Sequence, residues 1–320
     1  MFSEFSNITN NLAYLKAFSE RFMLQDPARP GRFLGNTQRE DFLPYLRTLV
    51  SKLQPDSQIF DFGAGAGEVV DFALSELESG TVNIEDPNTL LLEQYQNRLT
   101  AHPRLKLGQV HSGSVQDLYE ESVKIPKQDL ILGLHMIYHL SSFTPGEQSD
   151  PQEDILRMLN FMYKQLNLGG RIFLVYADQL VSTTGQAGAY YFQAKGEDQT
   201  VSNLESIWNA RDELLKQGRA QSLLNQRFPE FEARVESHQT ASYIYGKTLE
   251  DVAIMCVIGE LGLANDDVFD VSKLELSLKF LKENPDAVGL IEERRDVQQK
   301  QMIRSNQPQT VTIISKETRS

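Results

Sequence analysis

Cysteine is nearly absent from this chain. The single one, Cys256, lies in the apolar run Val252–Ile258. One cysteine excludes an internal disulfide and a thiolate zinc site, and its apolar setting predicts a buried, inert thiol. No metal site is expected. Apolar runs approaching ~20 residues are also missing, so no membrane-spanning segment is predicted. The opening Met1-Phe2-Ser3-Glu4-Phe5 has neither the basic n-region nor the apolar core of a signal peptide, and the expected compartment is the cytoplasm. Basic residues are in deficit, 31 Lys and Arg against 44 Asp and Glu, for a net charge of −13. That balance weighs against a general nucleic-acid binder, which needs a basic surface to neutralise phosphates. It suits a cationic or neutral ligand. Internal repeats, low-complexity tracts and a convincing interior linker are lacking too.

What is present is ordinary for a soluble globular chain: 320 residues, 40% hydrophobic and 23% charged. The length accommodates one large α/β domain with insertions or two smaller ones. The organising stretch is Gln58-Ile59-Phe60-Asp61-Phe62-Gly63-Ala64-Gly65-Ala66-Gly67-Glu68-Val69-Val70. Apolar residues lead into Asp61, glycines follow at alternate positions, and a helical pattern begins at Glu68. This order predicts a buried strand, a tight turn and a helix start. Glycine is needed where the backbone takes positive φ or where a ligand presses against it, and the free N–H groups of a helix start favour a polar or anionic group. A dinucleotide fingerprint would place its third glycine three residues past the second; here the interval is two, which disfavours a nicotinamide-dependent oxidoreductase. A turn without a ligand is the plain alternative for the loop taken alone.

The first 54 residues read as a helical cap, with Phe5, Ile8, Leu12, Leu15, Phe18 and Phe22 on one face, a break at 26–31, and a second run through Phe42, Leu46, Leu49 and Leu53. Beyond the glycine loop a helix is expected over Val69–Leu77. A strand at 81–86 then ends in Glu85, Asp86 and Pro87. An acid there sits beside the first turn and can accept from both hydroxyls of a ribose, and Asp86 fits that role better than Glu85. Asn88 is expected to cap the next helix, which runs to about Ala101. A third strand, Leu105–Val110, ends at small polar residues, of which Ser114 is the candidate neighbour of an adenine ring, with a plain loop as the alternative. The fourth strand, Gln128–Leu134, is apolar on both faces, as a central parallel strand should be. It runs into His135-Met136-Ile137-Tyr138-His139, which puts titratable groups at a strand's carboxyl end, where open α/β sheets bind ligands; packing around a short helix is the competing reading for Tyr138 and His139. A helix over 151–166, a strand over Arg171–Tyr176, and a polar loop at Ser182–Phe192 that could form a lid follow. Further on, a helix over 201–218 carries Trp208, strand-like residues occupy 231–245, an apolar helix spans Leu249–Leu261, and the segment Val271–Met302 is helix-like. A last strand covers Gln309–Ser315.

The order of these motifs over residues 57–177 resembles the class I S-adenosylmethionine-dependent methyltransferases. More loosely, the chain is similar to the histamine N-methyltransferase group: in the glycine loop with its trailing Glu68, in Asp86-Pro87, in His135–His139, and in Asn306–Ile313. The resemblance implies a Rossmann-like, doubly wound, seven-stranded sheet, mostly parallel with an antiparallel last strand. In that arrangement the methyltransferase domain runs over 55–320, with a cofactor half at 55–180, substrate-side insertions at 181–305 and the last strand at 309–315. It implies S-adenosylmethionine as cofactor, with Asp61, Gly63, Gly65 and Gly67 around its methionine part, Asp86 on the ribose, Ser114 by the adenine, and Leu134 with His135 beside the methyl donor. His135, Tyr138 and His139 would face the substrate, and Asn306 or Gln307 would contribute from the last strand. His135 stands where that group has glutamine and His139 where it has tyrosine. At the N-terminal position of the group's amine-recognising glutamate this chain has Gly31, flanked by Asp26 and Glu40. The expected activity is transfer of a methyl group to a nitrogen or oxygen of a small molecule, an amine among the candidates. A protein methyltransferase and a non-catalytic binding scaffold of the same fold are the alternatives.

Overall fold

The computed structural model describes residues 10–26, 32–120, 124–137, 150–260, 271–295 and 301–319. The chain forms two compact units, each assembled from three segments. One comprises the chain up to Asp41, Ala177–Trp208 and Thr240–Gln309; the other comprises Phe42–Tyr176, Asn209–Gln239 and Thr310 onward.

The second unit is built on a seven-stranded sheet. Its strands are β1 (Ser57–Phe62), β2 (Gly80–Glu85), β3 (Leu105–His111), β4 (Gln128–Leu134), β5 (Leu166–Ala177), β6 (Phe231–Thr240) and, after three strands of the other unit, β10 (Gln309–Thr318). Their order is β3-β2-β1-β4-β5-β10-β6, six strands parallel and one antiparallel, as the family resemblance implies. The order reverses between β1 and β4, which makes the carboxyl ends of those strands the switch point of the sheet. Register brings these ends level: Phe62 pairs with Glu85 on one side and with Gly133 on the other. Ile59, Phe60 and Phe62 of β1 and Leu130, Ile131 and Leu132 of β4 are fully buried, so helices cover both faces of the sheet.

The β2–β3 pairing slips by one residue between Val82 and Ile84. The cause is the buried Asn83, whose amide donates to the Ile59 carbonyl at 3.1 Å and accepts from the Gln109 N–H at 2.9 Å. Any Cβ on Gly108 would come within 2.4 Å of the Asn83 oxygen, so glycine opposite asparagine permits the bulge.

Asn88 caps its helix as expected, and Asp150 supplies a second cap that the sequence reading did not single out. Asn88 accepts from the Leu90 and Leu91 N–H groups and opens Thr89–Ala101. Asp150 opens Pro151–Gln165, whose Ile155, Met158, Leu159, Met162 and Tyr163 form one buried stripe. The Val69–Leu77 helix is shorter than expected: an α turn at Val69–Phe72 gives way to a 3₁₀ turn at Leu74–Glu76. The tighter turn keeps Val69, Val70, Ala73, Leu74 and Leu77 all in the core.

The first unit is mainly helical, with Asn10–Ala17, a π-helical turn at Phe18–Phe22, Thr183–Ala194, Leu249–Glu260 and Val271–Glu283. The start of helix Gln38–Val50 belongs to it, as does a three-stranded antiparallel sheet of β7 (Tyr243–Gly246), β8 (Ile291–Arg294) and β9 (Gln301–Asn306), with β9 in the middle. Cys256 is buried in its core, as expected. Two expectations fail here. The segment 182–192 is a helix and not a loop, because its small polar residues serve helix geometry. The Ser182 hydroxyl accepts from the Gly185 N–H at 3.1 Å, and a Cβ on Gly185 would strike the Gln179 carbonyl oxygen at 2.0 Å. The segment Val271–Met302 is helical only to Glu283. Pro285 follows within two residues, and β8 with the start of β9 lies in the remainder. Among the described residues, no helix is long and apolar enough to cross a membrane, and no group of histidine, cysteine and carboxylate side chains could hold a metal ion.

Candidate functional site: a glycine turn clasped by two acids

The glycine turn between β1 and the helix at Val69 has positive φ at each of its glycines: +59° at Gly63, +56° at Gly65 and +75° at Gly67. The reasons for glycine differ. A Cβ on Gly63 would meet the Met136 Cβ at 2.5 Å, and one on Gly67 would enter the Tyr95 ring at 2.2 Å. A Cβ on Gly65 would meet nothing within 4 Å. Glycine is therefore required at position 65 by its positive φ alone, and the place of the missing Cβ is open space that a ligand can fill.

The two acids that end β2 clasp this turn. A Glu85 carboxylate oxygen accepts from the Gly63 N–H at 3.1 Å, while the Glu85 carbonyl accepts from the Ala64 N–H at 2.9 Å. The Asp86 carboxylate accepts from the Gly65 N–H and from the Asn88 N–H, each at 2.8 Å and each through a different oxygen. Asp86 is thus fixed in orientation by two backbone N–H groups. Glu85, set behind Asp86 in the sequence reading, is the deeper of the two. The succession of two acids at a strand end was the available signal; which one faces the turn depends on the pleat.

Asp61 is buried at the centre of the sheet and accepts from the Tyr95 hydroxyl at 2.9 Å. Burial pushes its carboxyl up to about 8; the Tyr95 hydrogen bond opposes this, and the charges of Asp86 and Glu68 add to it. Glu85 is also raised to about 8, first by burial, against the Gly63 hydrogen bond and with help from Asp86, Asp61 and Asp117. Burial and the neighbouring Asp61 raise the Tyr95 phenol as well. Tyr95 shares a buried face with Leu92 and Leu99, a helical spacing that was legible, but its bond to Asp61 was not.

The remaining candidates fall around this centre. Ser114 caps helix Val115–Glu120: its hydroxyl and N–H both donate to Asp117, at 2.8 and 2.7 Å, and hold that carboxyl below its ordinary range. At the end of β3, His111 stacks on Phe60 with ring centroids 6.0 Å apart, and burial lowers its pKa. Leu134 is half-buried and pairs with Val175. His135 has φ +59°, a left-handed conformation unusual for a residue with a Cβ. Its N–H donates to the Val175 carbonyl at 2.8 Å, and its ring centroid lies 6.5 Å from that of Phe42. Tyr138 and His139, the other predicted substrate-facing residues, lie outside the described residues, as does Gly31. Asp26 pairs with Arg32, and Glu40 with Arg32 and Arg295. In the first unit, Gln307 is committed to Thr184, accepting from its N–H at 3.3 Å and donating to its hydroxyl at 2.8 Å.

No protein-family model matches the chain. No curated protein matches it either. Many solved structures are similar to it. A Bacillus halodurans protein assigned as a methyltransferase has 15% identity over 86% of this chain and 99% of its own, with a TM-score of 0.49. The plantazolicin methyltransferase BamL, solved with a desmethyl plantazolicin analogue and S-adenosylhomocysteine, has 12% identity over 95% and 90%, with a TM-score of 0.46. The [4+2]-cyclase SpnF has 10% identity over 87% and 82%, with a TM-score of 0.44. On its own strand order and switch point, the chain carries a seven-stranded, doubly wound, Rossmann-like α/β fold.

Proposed function

We propose that the protein is an S-adenosylmethionine-dependent methyltransferase acting on a nitrogen or oxygen of a small molecule. The observation that carries this reading is the clasped turn: a glycine with open space above it, bonded through its N–H to a carboxylate whose two oxygens are held in fixed directions. These residues fit the cofactor. A carboxylate such as Asp86 is the type of acceptor that ribose hydroxyls pair with, and Gly65 leaves room for the chain that joins the ribose to the amino acid. When bound, the cofactor supplies a methyl group already activated by its sulfonium.

The chain's own part is then alignment more than acid–base work. Holding the acceptor atom near the methyl carbon can supply ~7–11 kcal/mol of the barrier. A base is needed only for an acceptor that arrives protonated, and His135, at the carboxyl end of β4, is the residue we assign to take that proton. Leu134 borders the reacting groups, and Ser114 marks the adenine end.

Calorimetric titration with S-adenosylmethionine and with S-adenosylhomocysteine tests the reading. Both should bind the intact protein, and Asp86→Ala should weaken both by ~10-fold or more, the loss expected for hydrogen bonds to a charged acceptor. Absence of binding by the intact protein would overturn it and leave a scaffold of this fold.

A further inference from the structure

The clasped turn brings together three buried carboxyl groups, Asp61 of β1 with Glu85 and Asp86 at the end of β2. Each is held by neutral donors: Asp61 by the Tyr95 hydroxyl at 2.9 Å, Glu85 by the Gly63 N–H at 3.1 Å, and Asp86 by the Gly65 and Asn88 N–H groups at 2.8 Å. The charges that bear on Asp61 and Glu85 share one sign. Asp61 feels Asp86 and, at the start of the following helix, Glu68; Glu85 feels Asp86, Asp61 and, from helix Val115–Glu120, Asp117. The surrounding elements carry three further titratable or basic groups. His111 of β3 stands in register with Glu85, and burial lowers its pKa. Arg98 of helix Thr89–Ala101 acts on the Tyr95 phenol and is itself paired with Asp71. His135, after β4, has its ring centroid 6.5 Å from that of Phe42.

Carboxyl groups buried side by side resist ionising together, because each charge loses its hydration and repels the next. Near neutral pH, Asp61 and Glu85 therefore keep protons that isolated carboxyls would have lost. A cation brought to the turn favours the ionised forms and drives those protons off as it binds. The open space at Gly65, whose N–H is bonded to Asp86, is where the methyltransferase reading brings such a cation. Resting on that reading, we propose that Asp61 and Glu85 couple cofactor binding to proton release, so that the site separates S-adenosylmethionine from its demethylated product by charge. The two ligands share the nucleoside and the amino-acid part. They differ in one methyl group and the positive charge it gives the sulfur. The methylated form displaces protons that the product leaves in place, so its advantage over the product grows as pH rises toward neutrality.

Calorimetric titration of the full chain at about pH 7, in buffers of different ionisation enthalpy, counts the protons each ligand releases. S-adenosylmethionine should release more than S-adenosylhomocysteine. Between about pH 5.5 and 7 the α-amino group of an amino acid stays protonated, so the ligands themselves add little to the count. Over that range the ratio of their dissociation constants should move in favour of S-adenosylmethionine by ~3-fold or more, below the ceiling of about tenfold per pH unit for each proton displaced. Asp61→Asn and Glu85→Gln keep an acceptor for Tyr95 and Gly63 but cannot ionise, and each should shrink the difference in proton count. Equal counts for the two ligands with a ratio independent of pH would overturn the inference and leave the methyltransferase reading in place. A difference in count that survives both substitutions unchanged would do the same. Should either variant fail to fold, the counts and the ratio in the intact protein still decide. Failure of the intact protein to bind either ligand would remove the methyltransferase reading and the inference with it.

Discussion

The turn at Gly63–Gly67 and the segment at Gln307–Gln309 both place polar groups in buried surroundings, yet they handle them oppositely. At the turn, carboxylates and backbone amides satisfy one another: Glu85 takes Gly63, Asp86 takes Gly65 and Asn88, and Asp61 takes Tyr95. The result is a stiff, preformed cradle with an open face at Gly65 alone. At Gln307–Gln309, one amide is consumed by its neighbours and the next keeps an oxygen in reserve. A site for an invariant ligand can be made rigid by internal bonding. A buried segment that leaves an acceptor unsatisfied forgoes part of that stabilisation.

The largest expected effect comes from breaking the cradle at its packed glycine. Gly67→Ala combines a left-handed backbone with a collision into the Tyr95 ring and should destabilise the fold by ~2–5 kcal/mol in chemical denaturation. Gly65→Ala faces open space and should cost only ~1–2 kcal/mol, while weakening S-adenosylhomocysteine binding far more than its stability loss explains. Similar stability losses in the two variants would contradict the distinction drawn between packed and open glycines.

A second effect is pH-dependent. Asp61 and Glu85 titrate near 8 in the folded chain but near 4 when exposed, so between these values the folded state binds more protons than the unfolded one. Their contribution to stability is present at low pH and declines as pH rises toward 8, by up to ~1.4 kcal/mol per pH unit for each group. Asp61→Asn should flatten that decline in denaturant melts across pH 5–8. An unchanged slope would mean that Asp61 is ionised throughout.

The smallest effect concerns His135. Its left-handed conformation carries ~1–2 kcal/mol of strain, part of which glycine would relieve. His135→Gly should therefore gain up to ~1 kcal/mol in stability while lowering methyl transfer, measured as methyl transfer from labelled S-adenosylmethionine to the acceptor. A stabilised variant with undiminished turnover would show that the histidine serves only the backbone.

Much of the fold was legible in the chain because the signals are local. Asp61 followed by alternating glycines specifies a strand and turn, Asn88 announces a helix start, and the doubly apolar β1 and β4 declare a covered parallel sheet. The errors arose where local composition served two purposes. Ser182, Gly185 and Gly188 have the composition of a loop, yet a hydroxyl cap and close packing make them a helix. The charged residues after Glu283 continue a helical pattern, but antiparallel pairing with Gln301–Arg304 claims Ile291–Arg294 as strand.

The sequence by itself determined the order of elements, the need for glycine at the turn and the acid pair that follows it, since backbone sterics and hydrophobic periodicity act over a few residues. Only the tertiary structure decided that Glu85 reaches into the turn and that Tyr95 protects Asp61. It also decided that Gln307 is spent while Gln309 is not. Hydrogen-bond satisfaction joins groups as distant in the chain as Gln38 and Gln309, and no local pattern records which donors are already taken.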